Sequence, residues 1–221
     1  MQLVLASTSP RRRELLELLG VSFVVCPPAF DEHPIAGISP RDQVARFAEG
    51  KALSVARNRS QDWVLGSDTV IELDGTLLGK PVDLTEARSM LLRLAGRTHR
   101  VHTAVALFGP AGHSRRVETE TAIVVMKPPI EPDIDAYLST SESLGKAGAY
   151  SIQGRGAHFI ERIHGDFTTV VGLPLKVVAG LLSEAGYPVP SDIDGLYQRR
   201  PYPNWNRFPG HIAKEGTVPL Q

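Results

Sequence analysis

The chain has 221 residues, and its 24 lysine and arginine residues equal its 24 aspartate and glutamate residues in number. A neutral chain has no net field to attract nucleic acid or an anionic membrane surface, so we expect neither as a partner. Cys26 is the single cysteine, which excludes an internal disulfide and is typical of a reducing compartment. No apolar run is long enough for a signal peptide or a transmembrane helix, and we therefore expect a cytoplasmic location.

A short apolar run, Leu3 to Ala6, is followed by small hydroxyl residues and then by Pro10 and three arginines. This order predicts a strand, a tight turn and a helix, with Ser9 as the N-cap and Pro10 at the first helical position. Such a turn presents backbone N–H groups, hydroxyls and arginine side chains at a helix N-terminus, which is typical of phosphate binding. The alternative is a capped helix with a solvated basic face, in which Arg12 or Arg13 has no further role.

A second helix is predicted from Ser39, which forms a capping-box pattern with Asp42. Its apolar face includes Val44 and Phe47, and Lys51 follows them at helical spacing. That spacing places Lys51 on the apolar face of the helix. Its side chain therefore either reaches the surface by its long stem or points into a site.

The stretch from Trp63 to Leu73 is apolar and β-prone, but Asp68 occupies a position where a buried strand normally carries an apolar residue. A buried acid needs a partner, a metal ion or a catalytic task. The alternative is a turn at a strand end, which the apolar residues after Asp68 disfavour. Asp74 and Gly75 then predict a hairpin, which returns Lys80 towards Asp68.

Two long strands, 98–108 and 116–127, are predicted after a helix that begins at Asp83. His99 and His102 lie in the first of these strands. Side chains three residues apart in a strand point to opposite faces of the sheet. The two histidines are therefore a poor pair of metal ligands.

Small residues dominate the segment 145–154, whose glycines either allow a backbone to approach a ligand closely or simply mark turns. Helices are predicted on both sides of it, one from Pro132 and one over 174–186. Residues 187–221 are rich in proline and aromatic side chains and show no helical or strand period. We therefore divide the chain into a domain, 1–186, and a C-terminal extension, 187–221. The extension is either an aromatic arm held on the body or on a second subunit, or a loosely held tail.

Eight short motifs follow one another between residue 3 and about residue 185. They are Ala6–Arg12, Asp31–Glu32, Lys51–Ala52, Gly66–Thr69, Gly79–Pro81, Lys146–Tyr150, Ile152–Gly154 and Val171–Pro174. In this order they resemble the Maf family. The resemblance implies an α/β fold with an elongated mixed sheet flanked by helices. It also implies two lobes with a cleft between them, similar to the inosine triphosphate pyrophosphatases.

The resemblance implies a nucleoside triphosphate pyrophosphatase, which releases a nucleoside monophosphate and pyrophosphate, and a homodimer. One branch of the family prefers dTTP and UTP, and another prefers 7-methyl-GTP. The motifs 146–150 and 152–154 are similar to the dTTP/UTP branch. The chain departs from that branch at Gly145, where an aspartate usually precedes the lysine, and in the extension.

Triphosphate hydrolysis requires cations for the phosphates and a divalent metal ion, Mg²⁺ or Mn²⁺. Glu32 and Asp68 are candidate metal ligands because hard cations bind carboxylate oxygens. The family assigns the proton acceptor to the position of Asp68 and base selection to the positions of Thr69 and Gln153. A glutamine amide both donates and accepts, so it can pair with the N3–H and O4 edge shared by uracil and thymine. The other candidate substrate-binding residues are Ser7, Arg11, Arg12, Lys51, Lys80 and Lys146.

Two alternatives to a dTTP/UTP pyrophosphatase stay open at this point. One is a 7-methyl-GTP pyrophosphatase. The other is a nucleotide-binding septation regulator without turnover, because the family is also linked to the arrest of septum formation. A regulator explains the phosphate-binding turn but gives Asp68 and Glu32 no task.

Overall fold

The computed structural model describes residues 1–112, 114–128 and 130–209. The strands in these ranges are β1 (Leu3–Ala6), β2 (Phe23–Cys26), β3 (Trp63–Leu73), β4 (Thr76–Leu78), β5 (Thr98–Phe108), β6 (Arg115–Met126) and β7 (Ile160–His164). The α-helices are α1 (Pro10–Glu17), α2 (Pro40–Ala56), α3 (Leu84–Leu94), α4 (Glu131–Leu138), α5 (Phe167–Val171), α6 (Leu175–Glu184) and α7 (Ile193–Arg199). Within the described ranges, no helix combines the length and the apolar character that a membrane crossing requires.

The strands form one mixed sheet in the order β2-β1-β3-β5-β6-β7, and β4 pairs with the C-terminal part of β3. β1 pairs in parallel with β2 and β3, whereas the other neighbouring strands are antiparallel. This confirms the predicted α/β fold with a mixed sheet and flanking helices. β1 pairs with residues 63–66 of β3, so β3 continues well beyond the end of β1. β3 is also uninterrupted through Asp68, which excludes the alternative of a turn there.

Helices cover both faces of the sheet, because alternate residues of each strand contribute apolar side chains to opposite faces. α2 packs on one face through residues such as Val44 and Phe47, and α1, α3 and α6 pack on the other. Gly66 allows α2 to approach β3 closely, since a Cβ atom there would lie 2.4 Å from the carbonyl oxygen of Ala48. This close packing brings Lys51 of α2 next to the middle of β3.

The side chains of Ser39 and Asp83 cap the two helices that are predicted to begin at these residues. Ser39 Oγ accepts a hydrogen bond from the backbone N–H of Asp42 at 3.1 Å. Asp83 Oδ1 accepts one from the backbone N–H of Glu86 at 2.8 Å. Each bond satisfies a helix N–H group that has no partner within its own helix.

The described part of the C-terminal extension packs on the body of the protein. It contains the helix α7 although its sequence shows no helical period, because seven residues are too few to show one. Trp205 is 2% exposed, and its ring stacks on that of Phe167 with 5.5 Å between centroids. Tyr197 meets the same indole ring edge-on at 5.0 Å. Residues 187–209 are thus an aromatic arm held on the body, whereas 210–221 lie outside the described residues.

Candidate active site

One cleft, at the point where β1 ends and β3 continues, contains every site residue that the sequence predicts. Its volume is about 590 Å³, which is within the usual range for small-molecule sites. The predicted residues that line it are Ser7, Arg11, Arg12, Glu32, Lys51, Asp68, Thr69, Lys80, Lys146 and Gln153. The fold therefore brings together residues from six separate parts of the chain.

The turn after β1 presents a hydroxyl and backbone groups to the cleft. Ser7 is 3% exposed, and its Oγ accepts a hydrogen bond from the backbone N–H of Ser9 at 3.1 Å. Pro10 is the first residue of α1, as predicted. Ser9 occupies the N-cap position, but its side chain makes no capping hydrogen bond, so its predicted capping role is wrong. The turn is instead fixed by the Ser7 hydroxyl and by the restricted φ of Pro10.

Arg12 and Arg13 have different surroundings. Arg12 is anchored inside the protein, where its Nε donates to the carbonyl oxygen of Gly172 at 2.9 Å and its Nη2 donates to Thr69 Oγ1 at 3.1 Å. The side chain of Arg13 is 65% exposed and pairs with Glu17, one turn further along the same helix. The alternative of a solvated basic face therefore describes Arg13 and not Arg12.

Arg11 combines burial with an unpaired donor. Its Nε is buried and has no hydrogen-bond partner within the described part of the chain. Burial lowers the pKa of Arg11, whereas Tyr202 and Glu14 raise it. A buried guanidinium N–H without an acceptor is costly. An anion bound in the cleft is a suitable acceptor for this group.

Lys51 and Asp68 form a buried ion pair in the cleft. They are 6% and 4% exposed, and the Lys51 ammonium donates a hydrogen bond to Asp68 Oδ1. The same ammonium lies 2.6 Å from Glu32 Oε1, and Glu32 Oε2 lies 3.6 Å from Lys80 Nζ. Arg12 Nη2 lies 4.0 Å from Asp68 Oδ1. Lys51 therefore points into the site, where two carboxylates alternate with three cations.

The carboxylate of Glu32 is kept ionised by its neighbours. Burial raises its pKa, but the hydrogen bond from Lys51 and the charges of Lys51 and Lys80 outweigh burial, so the pKa lies below its ordinary value. The negative charge of Glu32 is therefore present at neutral pH. It is available to a cation that enters the cleft.

The donor set of the cleft fits a divalent metal ion that also binds substrate phosphates. Glu32 and Asp68 both contact the Lys51 ammonium, so their oxygens converge on one region. No cluster of three or more His, Cys, Asp or Glu residues that could hold a metal occurs in the ranges that the structure describes. Mg²⁺ commonly binds one or two carboxylates together with phosphate and water oxygens. Two carboxylates beside a triphosphate are therefore a sufficient set.

Thr69 connects β3 to the arginine of the turn. Its hydroxyl accepts from Arg12 Nη2 and lies 2.9 Å from Thr103 Oγ1. Thr103 donates its single hydroxyl hydrogen to the carbonyl oxygen of Thr169 at 2.7 Å, so Thr69 must donate to Thr103. These bonds orient Arg12. The role of Thr69 in reading the base stays a prediction.

Lys146 and Gln153 line the cleft from the segment that is rich in small residues. Burial lowers the pKa of Lys146, and the positive charge of Arg11 adds to this effect. Lys146 Nζ lies 3.5 Å from the carbonyl oxygen of Leu144. Gly145 has φ of 70°, a left-handed conformation that glycine adopts without strain. The departure from the branch pattern at Gly145 is therefore compatible with the local backbone.

Comparison with models of known protein families assigns the chain to one of them. The model of the family described as Maf-like protein matches residues 2–185. The chain belongs to the Maf family. This confirms the resemblance that the eight motifs indicate, and the extension lies beyond the matched residues.

Several curated relatives from the Maf family match this chain over almost their whole length. The dTTP/UTP pyrophosphatase of Symbiobacterium thermophilum is 46% identical over 188 residues, which are 85% of this chain and 96% of the relative. That of Shewanella oneidensis is 48% identical over 196 residues, 84% of this chain and 99% of the relative. That of Clostridioides difficile is 43% identical over 184 residues, 83% of this chain and 95% of the relative.

Glu142 supports the site of this Maf chain and was missed by the sequence reasoning. Its carboxylate accepts the backbone N–H groups of Arg155 at 3.0 Å and Gly156 at 3.2 Å, and the hydroxyl of Tyr137 at 3.2 Å. These bonds hold the loop that carries Gln153. An isolated acid before a glycine-rich segment does not reveal partners that lie 13 and 14 residues further along the chain.

The two histidines of β5 lie in different surroundings. His99 Nε2 hydrogen-bonds with the Tyr150 hydroxyl at 2.8 Å, behind the cleft wall. His102 Nε2 contacts Glu72 at 2.7 Å, and its Nδ1 contacts Thr121 at 2.8 Å. Burial lowers the pKa of His99 from 6.5 to about 3.

His99 is expected to make the protein less stable in acid. Between pH 6.5 and about 3 the unfolded chain binds a proton at His99 that the folded chain does not bind. The free energy of unfolding therefore falls by about 1.4 kcal/mol for each pH unit over this range, and the effect is absent above it. Urea unfolding of wild type and His99→Asn at pH 7, 5 and 4 measures the difference. A wild type that loses no more stability than the variant on acidification contradicts the expectation.

Proposed function

We propose that this chain is a nucleoside triphosphate pyrophosphatase that hydrolyses dTTP and UTP to the monophosphate and pyrophosphate. The observation that carries the proposal is the buried pair of Asp68 and Lys51, with Glu32 in contact with the Lys51 ammonium, beside the arginine-bearing turn in one cleft. The curated relatives, at 43–48% identity, are named dTTP/UTP pyrophosphatases. Their name fits a site that offers both phosphate-binding cations and a carboxylate base.

The cationic side chains of the cleft and the turn after β1 bind the triphosphate. Arg11 offers a buried N–H group to a phosphate oxygen, and Lys80 offers a half-exposed ammonium at the rim. Ser7 and the backbone N–H groups after it suit further phosphate oxygens. Arg12 and Lys51 add positive charge beside the reacting group. Together these groups offset the negative charge that otherwise repels an attacking water molecule.

Glu32 and Asp68 would hold a Mg²⁺ or Mn²⁺ ion together with the substrate phosphates. When bound, such an ion supplies positive charge at the phosphate oxygens and at the leaving pyrophosphate. The nucleotide would complete the site of this ion, because two carboxylates alone would leave most of its coordination positions to phosphate and water.

Asp68 acts as the general base of the reaction. Its carboxylate accepts a proton from a water molecule as the water oxygen forms a bond to the α-phosphorus. The bond from the α-phosphorus to the bridging oxygen breaks, and pyrophosphate leaves with that electron pair. The proton on Asp68 then passes to solvent. Lys51 orients the Asp68 carboxylate by a direct hydrogen bond to its Oδ1.

Gln153 is expected to select the base. Its amide can pair with the O4 and N3–H groups of uracil and thymine, whereas cytosine presents the reverse pattern. A wrong base leaves a polar group of the site unpaired, which costs ~1–3 kcal/mol. Gln153→Ala should therefore lower kcat/KM for UTP and reduce the UTP to CTP ratio by about tenfold. The ratio in steady-state assays of wild type and variant is the measurement.

Lys80→Ala is a suitable control for Gln153→Ala. Lys80 lines the cleft but belongs to the phosphate-binding group, so its loss should lower kcat/KM for UTP and CTP alike and leave their ratio intact. A UTP to CTP ratio that survives the change at Gln153 would show that another residue reads the base.

A panel of substrates tests the proposed function itself. Purified protein is incubated with UTP, dTTP, CTP, GTP, ATP and 7-methyl-GTP in the presence of Mg²⁺ or Mn²⁺, and pyrophosphate is measured. The expected result is the highest kcat/KM for UTP and dTTP, at similar values, because an amide at this edge does not read the C5 methyl group. Preference for 7-methyl-GTP would place the chain in the other branch. Nucleotide binding without pyrophosphate release would favour the regulator.

We also infer a homodimer and a cytoplasmic location. The homodimer rests on the resemblance to the family, and the location rests on the single cysteine. The neutral net charge supports the expectation that nucleic acid polymers are not partners of this chain. Light scattering of the purified protein measures the mass, which for the 24.0 kDa chain should be doubled in the dimer.

A further inference from the structure

Asn204, in the C-terminal extension, contacts the loop that carries Gln153. Its side-chain Nδ2 donates to the carbonyl oxygen of Ile152 at 3.0 Å and to that of Gly154 at 3.1 Å. Both partners are acceptors, so the amide must place its NH₂ group, and not its oxygen, against the loop. The two bonds straddle Gln153 and fix the backbone on both sides of it.

The turn that carries Asn204 is itself anchored in the core. Trp205, the next residue, is 2% exposed and stacks on Phe167 of α5. Tyr202 is 8% exposed, and its hydroxyl donates to Glu14 of α1. Asn204 has φ of 64°, a left-handed conformation that asparagine tolerates better than most residues. The donor amide of Asn204 is therefore held between two buried anchors, Tyr202 and Trp205.

The loop around Gln153 is clamped from two directions. Glu142 accepts N–H groups on its C-terminal side, at Arg155 and Gly156. Asn204 donates to the carbonyl groups of Ile152 and Gly154, which flank Gln153 in this loop. Glu142 lies within the residues that the family model matches, whereas Asn204 lies beyond them. One half of the clamp is thus supplied by the extension of this chain.

We propose that Asn204 is a positioning residue that fixes Gln153 for base selection, so that the extension tunes the specificity of the cleft. The proposal rests on the proposed function, because it takes Gln153 as the residue that reads the base. Asn204 is not among the residues that line the cleft. It acts by holding the Gln153 backbone, and a small displacement of a contact residue lowers discrimination more than it lowers binding of the shared triphosphate.

Two variants of Asn204 test the proposal. Asn204→Gly keeps the left-handed turn and removes the donor, and Asn204→Asp keeps the shape but sets an acceptor against two carbonyl oxygens. Ser191→Ala is the matched control, because Ser191 Oγ also joins the extension to the body, at the Leu18 carbonyl oxygen 2.9 Å away, but not at the loop. Hydrogen–deuterium exchange of residues 150–156 and the UTP to CTP ratio of kcat/KM are measured for each protein.

Both Asn204 variants should exchange faster over residues 150–156 and show a UTP to CTP ratio roughly threefold to tenfold below that of wild type. KM for UTP should rise more than kcat falls. Ser191→Ala should match wild type in both measurements. The proposal is overturned if residues 150–156 of the Asn204 variants exchange as slowly as in wild type. It is also overturned if these residues exchange faster while the UTP to CTP ratio of kcat/KM stays unchanged. A wild type that shows no preference for UTP refutes the proposed function instead, while the exchange data still decide whether Asn204 holds the loop.

Discussion

Asp68→Asn should lower kcat for UTP hydrolysis by ~10²–10⁴, because an amide cannot accept the proton of the attacking water molecule. The asparagine oxygen can still accept a hydrogen bond from Lys51, which donates to Asp68 in the wild type. The local packing and the fold should therefore persist. Steady-state kinetics with UTP, together with circular dichroism and a thermal melt, measure both outcomes.

Glu72→Gln is the matched control for this experiment. Glu72 is an acid on the same strand, β3, but it contacts His102 and Arg100 away from the cleft. The same acid-to-amide change there should leave most of the activity. A folded Asp68→Asn protein with nearly wild-type kcat would show that Asp68 is not the base.

Lys51→Met should lower kcat/KM by about 10²–10³ for UTP, dTTP and CTP alike. Methionine keeps the length of the buried side chain and removes the charge between Asp68 and Glu32. The phosphates lose a nearby cation, and the two carboxylates lose the ammonium group that contacts both of them. Because the effect concerns the triphosphate and not the base, the UTP to CTP ratio should stay as in wild type.

The same change should raise the pKa of Glu32, since the hydrogen bond from Lys51 lowers it in the wild type. A lowered pKa contributes stability above the ordinary pKa of a glutamate, and this contribution is lost as the pH falls through the folded-state value. Lys51→Met should therefore remove stability at neutral pH more than at pH 3. Lys127→Met, at a half-buried lysine outside the cleft, is the control and should retain wild-type kinetics. A change in base preference at Lys51 without loss of rate contradicts the assignment.

Local periodicity was enough to single out both residues of the central pair, but it did not show that they meet. Asp68 interrupts an otherwise apolar strand, and Lys51 falls on the apolar face of a helix; both are exceptions to simple patterns. The sequence left several explanations open for each exception, and in the fold each residue is the hydrogen-bond partner of the other. The resemblance to the Maf family then added Glu32 and Gln153, which no period singles out.

Contacts between distant parts of the chain were beyond the reach of sequence patterns. Arg12 binds the carbonyl oxygen of Gly172, 160 residues away, which no local rule predicts. α5, over residues 167–171, has β-branched side chains that favour a strand; Asp166 caps it by accepting the N–H of Thr168 at 3.1 Å. The sequence left open whether the extension is held on the body, because α7 is short and Trp205 is buried by tertiary packing alone.

The position of water attack tests the central claim most directly. UTP is hydrolysed by the wild-type protein in water enriched in oxygen-18, and the products are separated and examined by mass spectrometry. Attack at the α-phosphorus, with Asp68 as the base, places the heavy oxygen in UMP and leaves pyrophosphate unlabelled. Label in pyrophosphate, or release of orthophosphate and UDP, would contradict the proposed chemistry of the cleft.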